Sequence, residues 1–216
     1  MLRMAKSSTK KVAFISSFRP RRCGIATFTA DLINNISSAA KGSFEPLVVA
    51  MRSKDNLTYN DPVKFEIRQN VKNDYICAAD YINFSHVDAV SVQHEFGLFG
   101  GEAGSYLSLL LNQLNAPIIT TLHTLLDNPD TSYYKSLRDV CNASYKVIIM
   151  NERGIDMLQD IYGLSSKKIE LVPHGIPDSP FVDNNYYKHK FGMEDRRTIL
   201  TFGLLSKNKG IEVMLK

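Results

Sequence analysis

The 216-residue chain has no long hydrophobic run. Its longest apolar stretches, such as Leu107 to Leu111 broken by Ser108, fall far short of the roughly 18–20 residues a membrane-spanning helix needs. The first ten residues, MLRMAKSSTK, are basic and polar and contain no apolar core of a signal peptide, so the expectation is a cytoplasmic protein with no transmembrane segment. Cysteine is scarce. Cys23, Cys77 and Cys141 are odd in number, widely spaced and without a CxxC pair, which argues against a disulfide framework and against zinc or redox motifs. Glycine (12) and proline (8) are too few for a collagen-like or low-complexity chain. With 44% hydrophobic and 22% charged residues, the composition is that of an ordinary globular protein rather than a disordered one.

The net charge of +4 invites a nucleic-acid reading, but its distribution does not support one. Residues 1 to 22 hold seven basic residues and no acidic one, and residues 188 to 216 hold seven basic against three acidic. The middle, 23 to 185, carries 12 basic and 19 acidic residues. A domain that grips a phosphate backbone usually carries a basic face throughout. No nucleic-acid partner is therefore expected. The basic segment at 1 to 22 is compatible with peripheral contact to an anionic membrane surface.

What is present is an alternation of short β-branched runs with amphipathic stretches. Strands are predicted over Lys11 to Ser16, Pro46 to Met51, Val63 to Arg68, Asp88 to Gln93, Pro117 to Leu122, Lys146 to Met150, Lys168 to Val172 and Thr198 to Gly203. Ile25, Phe28, Leu32 and Ile36 recur at helical spacing, as do Ile155, Leu158 and Ile161 between an Asn151 N-cap and Gly163. Asp74 to Phe84 and Ser105 to Leu114 also read as helices. Strand–helix alternation implies parallel βαβ units, hence an α/β fold with a Rossmann-like, doubly wound parallel sheet. The expected organisation is a basic tail (1–10), a first domain (11–175), a linker (176–197) rich in Pro, Asn, Asp and Lys, and the first βα unit of a second, truncated domain (198–216).

Ligands of open parallel sheets bind beyond the carboxyl ends of the strands. Three of the five histidines fall there: His94 after the fourth strand, His123 after the fifth and His174 after the seventh. The first strand leads into Arg19, Arg21, Arg22 and Gly24 at a helix start, where a small residue lets backbone approach a ligand. Gly24 stands alone, so this is not the GxGxxG dinucleotide fingerprint. Gly100-Gly101-Glu102-Ala103-Gly104 can bend sharply and offer free helix amides. His94, Glu95, His123 and His174 could ligate zinc, but without an HExxH pattern no metal is expected. Lys209 and Gly210 sit at a strand-to-helix turn suited to phosphate, though without the GKS/T of a Walker loop.

Five segments in order, KVAFISSFRPRRCGIATF, DAVSVQHEFGLFGG, PIITTLHT, LVPHGIPD and RTILTFGLLSKNKGIEVML, resemble the retaining glycosyltransferases of the GT-B fold, family 4. The resemblance runs from Lys11 to Lys216. It implies two Rossmann-like domains, the first receiving a glycan or lipid-linked acceptor and the second holding a nucleotide-sugar donor. A hexosyl unit would be transferred with retention, with no cofactor and no metal required. By the same resemblance Gly24 abuts donor phosphates and acceptor, and His94, the candidate catalytic residue, contacts the transferred sugar. His123 lines the cleft, and Lys209 neutralises the departing diphosphate.

Leu204 stands where many members carry an arginine, and Lys207 or Arg22 are the cations that could replace it. The family's paired glutamates would lie beyond Lys216, so this chain alone is expected to have negligible transferase activity. Two other readings remain open: a non-catalytic acceptor- or glycan-binding module, and a sugar-nucleotide epimerase on the same fold. Nothing in the sequence indicates an oligomeric state.

Overall fold

A computed structural model describes residues 9–52, 57–176, 178–202 and 210–215. They form two compact units, one reaching His174 and one beginning at Gly175. The larger unit is built on β1 (Lys10–Ser16), α1 (Gly24–Ala40), β2 (Phe44–Arg52), β3 (Val63–Arg68), α2 (Lys72–Phe84) and β4 (Ala89–His94). It continues with α3 (Leu107–Leu111), β5 (Ile118–Leu122), α4 (Thr131–Ala143), β6 (Lys146–Ile149), α5 (Glu152–Asp160) and β7 (Ile169–Leu171).

The seven strands pair in parallel in the order β3-β2-β1-β4-β5-β6-β7. This is the doubly wound α/β sheet that the alternation implied. Strand order reverses between β1 and β4, the position at whose carboxyl ends sheets of this class bind their ligands.

Side chains of successive strand residues point to opposite faces, and both faces are covered. Ala13 and Ile15 of β1 join Leu47, Val49 and Met51 of β2 in a core closed by α2 and α3 through Tyr75, Ala79, Leu107 and Leu110. Phe14, Val48 and Ala50 face the other way, onto Ala30 and Ile33 of α1. A third cluster joins Leu122, Val147 and Ile149 to Leu137 and Cys141 of α4 and Leu158 of α5. Local ties fix the helix starts. Arg68, at the end of β3, donates from Nε and Nη2 to the Asp74 carboxylate of α2, each at 2.8 Å, and its backbone N–H adds a third bond at 2.9 Å. Asn151 caps α5, its Oδ1 accepting from Gly154 N at 2.8 Å, and Gly163 takes a φ of +63° where that helix ends.

Several elements differ from expectation. Helix α4 was not anticipated: the segment is polar on average, and of its buried residues Ser136, Leu137, Val140 and Cys141 only two are aliphatic. The helix predicted over Ser105 to Leu114 shrinks to α3, five residues long, since glycine-rich turns occupy the preceding segment. Lys10, assigned to the tail, begins β1, where its ammonium meets Asp88 at 2.8 Å; residues 1–8 lie outside the described residues.

In the smaller unit, α6 (Asn184–Lys190) lies within the expected linker, capped by Asp183, which accepts from Asn185 N at 2.7 Å. The strand predicted from Thr198 is not formed over 198–202. No described neighbour pairs with it, and Ile199, Leu200 and Phe202 are exposed. Gly203 lies outside the described residues, and α7 (Ile211–Met214) follows Gly210.

Candidate functional site

The carboxyl ends of β1, β4 and β5 assemble the site of the larger unit. At the end of β1, Ser16 and Ser17 are fully buried. Ser16 Oγ hydrogen-bonds Thr29 Oγ1 at 2.7 Å, and Thr29 Oγ1 donates to Ile25 O, so α1 is braced against the strand that feeds it. Cys23 caps α1, its Sγ accepting from Ala26 N at 3.4 Å and lying 3.1 Å from Ser17 Oγ. Gly24 opens the helix in the open, with no atom within 4 Å of where a Cβ would stand. Arg19 pairs with Asp31 at 3.1 Å, and Arg21 reaches Met51 O at 3.4 Å. Arg22 is exposed beside them.

Strand β4 delivers two buried polar residues to opposite faces. Gln93 is fully buried; its Nε2 donates to Ser91 Oγ at 3.3 Å, and its Oε1 lies 2.9 Å from His123 Nε2. His94 follows and is likewise fully buried, edge-on to Phe96 with ring centroids 5.0 Å apart and stacked on Phe99 at 6.1 Å. Neither of its ring nitrogens has a hydrogen-bond partner. Burial, reinforced by His123 nearby, pushes the His94 pKa down to about 4, so the ring is neutral at physiological pH.

The segment after His94 explains this burial. Gly97 O accepts from Gln69 Nε2 at 2.9 Å, and Gly100 N donates to the Tyr75 hydroxyl, which itself donates to Gln69 O at 2.8 Å. Gly100 packs so closely on Gln69 that a Cβ there would stand 1.9 Å from the Gln69 carbonyl oxygen. Ala103 O accepts from Ser136 Oγ at 2.7 Å on the α4 side. The backbone is thus pinned from both flanks over the His94 ring. The free amides expected from the GGEAG segment are consumed here: Gly104 N, Ser105 N and Tyr106 N all bond to carbonyls of residues 100–102.

His123, immediately after β5, is half-buried. Its backbone N–H donates to His94 O at 3.0 Å, and its ring stands edge-on to Phe28 of α1 at 4.9 Å. Phe28 also meets His174 at 5.3 Å. Burial, with a smaller contribution from His174, lowers the His123 pKa to about 4. Thr124 donates from its hydroxyl to Glu95 Oε2.

The structure therefore brings His123 and His174 against Phe28, ties Gln93 to the His123 ring, buries His94 beside Phe96 and Phe99, and leaves Gly24 at an open helix start. Lys209, with Leu204 and Lys207, lies outside the described residues. The zinc arrangement considered for His94, Glu95, His123 and His174 is not formed: among the described residues no three His, Cys, Asp or Glu side chains are placed to hold a metal ion. Comparison of the sequence with protein-family models gives no match, and comparison with curated proteins gives none either.

Two concave surfaces lie at the opposite, amino-terminal edge, around Ala116 and Pro117. They contain none of the strand-end histidines, and the site is assigned by its chemistry rather than by concavity. Among the described residues no helix is long and apolar enough to cross a membrane.

Sequence reasoning missed Gln93, and it placed Phe28 on its helix without its contacts to the histidines. A glutamine inside the run AVSVQH, where a central strand is buried on both faces, was the available signal. Phe28 belonged to the apolar periodicity of α1, and periodicity does not distinguish a core aromatic from one placed against two histidines.

Proposed function

We propose that the larger unit is the acceptor-side domain of a retaining glycosyltransferase of GT-B type, family 4, moving a hexosyl unit from a nucleotide sugar to a glycan or lipid-linked acceptor. The observation that supports this best is a coincidence of motif and topology. Three of the five segments that carry the resemblance run through the carboxyl ends of β1, β4 and β5, beside the strand-order reversal between β1 and β4 where this fold class binds ligands.

The chemistry at that edge suits the reaction. Sugars present uncharged hydroxyls, and neutral imidazoles both donate and accept hydrogen bonds without demanding a counter-charge. His123 is the accessible one of the pair. His94 would contribute its unpartnered nitrogens to the transferred sugar once the covering segment yields. The leaving group of the transfer is a diphosphate, whose growing charge needs preplaced cations and helix amides. The start of α1 and the arginines before it supply such groups on this domain, and Lys209 is the further cation the resemblance assigns. On this reading transfer needs no bound metal.

The test is titration of the histidine-labelled chain with UDP-glucose, GDP-mannose and simple oligosaccharides, followed by the ring resonances. The expected result is a saturable shift of His123 and His174 with at least one of these, abolished by bulk at the helix start in Gly24→Leu. Shifts confined to His86 and His189, or no shift with any of them at millimolar concentration, would overturn the proposal. With acceptor-free donor, epimerised sugar nucleotide in the mixture would assign the fold to epimerase chemistry instead.

A further inference from the structure

The buried amide of Gln93 has its two ends committed. Its nitrogen donates to Ser91 Oγ at 3.3 Å, and its carbonyl oxygen faces the His123 ring, 2.9 Å from Nε2. A carbonyl oxygen can only accept. With the amide in this orientation a neutral ring carries its proton on Nε2, and Nδ1 keeps its lone pair. Gln93 is fully buried, so the amide side of this bond is shielded from water. The ring is held in the same orientation by Phe28 on its edge and by the backbone bond from His123 N to His94 O.

We infer that Gln93 is a positioning residue that locks His123 in the Nε2–H tautomer, so that Nδ1 is presented at the β4–β5 edge as a hydrogen-bond acceptor for a hydroxyl of the bound sugar. The ligand half of this inference rests on the glycosyltransferase reading; the tautomer half does not. Its consequence is selectivity by the direction of the hydrogen bond. A hydroxyl can donate to Nδ1, whereas a carboxylate or phosphate oxygen meets lone pair against lone pair. A neutral ring with a fixed acceptor therefore favours the sugar over the anionic part of a nucleotide sugar.

The ionisable groups coupled to the ring are His94 and His174, and both are themselves histidines. Near neutral pH the bond to Gln93 is thus the dominant polar constraint on His123.

The test uses the intact chain labelled with 15N-histidine and two-bond proton–nitrogen correlation at pH 7.5. The expected result is a single Nε2–H tautomer for His123 with a slowly exchanging ring proton. Gln93→Met should lose the protected proton, accelerating its exchange at least tenfold. Gln93→Glu, which keeps an acceptor oxygen in place, should retain it and shift the ring's titration to higher pH. An Nδ1–H tautomer in the unsubstituted chain would overturn the inference, as would unchanged proton protection in Gln93→Met.

For the ligand half, the probe is methyl α-glucoside or UDP-glucose. The expected response is movement of the Nδ1 resonance with Nε2 little changed. Movement of Nε2 instead overturns the assigned direction of the bond. No response from any histidine overturns the ligand half together with the function proposed above, while the tautomer result stands or falls separately.

Discussion

The burial of His94 gives the larger unit a pH dependence whose sign and size follow from its geometry. An unfolded chain binds a proton on each histidine near pH 6.5, whereas in the folded chain burial delays protonation of His94 to about pH 4. Between these values the unfolded state holds more protons than the native state, so stability rises with pH. It is full above about 6.5 and is lost as pH falls towards 4. One proton difference is worth about 1.4 kcal/mol per pH unit, so at pH 5 His94 alone costs about 2 kcal/mol relative to neutral pH.

His123 is displaced in the same direction, but partial solvent contact makes its share smaller. For a domain of this size 2 kcal/mol corresponds to roughly 4–8 °C in Tm. The carboxylates held low by their partners, Asp74 by Arg68 and Asp88 by Lys10, begin to lose stabilisation only near or below pH 4 and do not confuse the window.

The assay is thermal and urea unfolding at pH 7.5, 6 and 5, for the native sequence and for His94→Leu. The leucine removes the titrating ring and both unpartnered nitrogens, so its loss between pH 7.5 and 5 should be smaller by about 2 kcal/mol. Titration of the His94 Cε1 proton checks the cause directly, with no protonation expected above pH 5. Equal pH slopes for the two proteins, or a ring that titrates near 6.5, would refute the reasoning.

Gly100→Ala should destabilise the larger unit by about 2 kcal/mol or more in urea unfolding, because the added methyl meets a backbone oxygen that cannot rotate away. Gly24→Ala, with open space at its Cβ, should stay within about 0.5 kcal/mol of the native sequence, and similar losses for both would refute the packing argument. Thiol labelling under native conditions should modify the exposed Cys77 and leave Cys141, which is buried with its pKa pushed up to about 12, unmodified until unfolding. Rapid native labelling of Cys141 would contradict that burial.

The sheet was legible because its strands are nearly continuous apolar runs. Consecutive strands sit side by side within β1-β2-β3 and within β4-β5-β6-β7, whereas the reversal that sets β4 beside β1 is not contained in the strand pattern. Helix α4 was hidden because it buries Ser136 and Cys141 where a pattern search looks for leucine. The positions of His94 and His123 at strand ends were readable, but their different environments were not. Residues 94 and 123 fall on strands adjacent in register, His94 opposite Leu122, and so His123 lies one residue further along, on the other face of the sheet. That parity sends one ring to Phe96 and Phe99 and the other to Gln93 and Phe28. It depends on register between strands nearly thirty residues apart, which a one-dimensional reading does not contain.

The same parity divides the site by charge. The imidazoles on β4 and β5 are made neutral by burial and so interact with hydroxyls at no electrostatic cost. The loop after β1 carries three cationic side chains, of which Arg19 and Arg21 already answer Asp31 and Met51 O and Arg22 is exposed. On the proposed function, a ligand with an uncharged sugar at one end and a phosphate at the other is matched with its sugar towards β5 and its phosphate towards the start of α1. Reversing it would set a desolvated anion against the lone pair of His123 Nδ1, an unfavourable contact in a medium of low dielectric. On the proposed function, orientation of the donor relative to this domain is therefore set before any group of a second domain contributes. Replacing Arg22 by Gln should weaken binding of UDP-glucose while leaving that of methyl α-glucoside unchanged, and equal weakening of both would show that charge and hydroxyl recognition are not separated in this way.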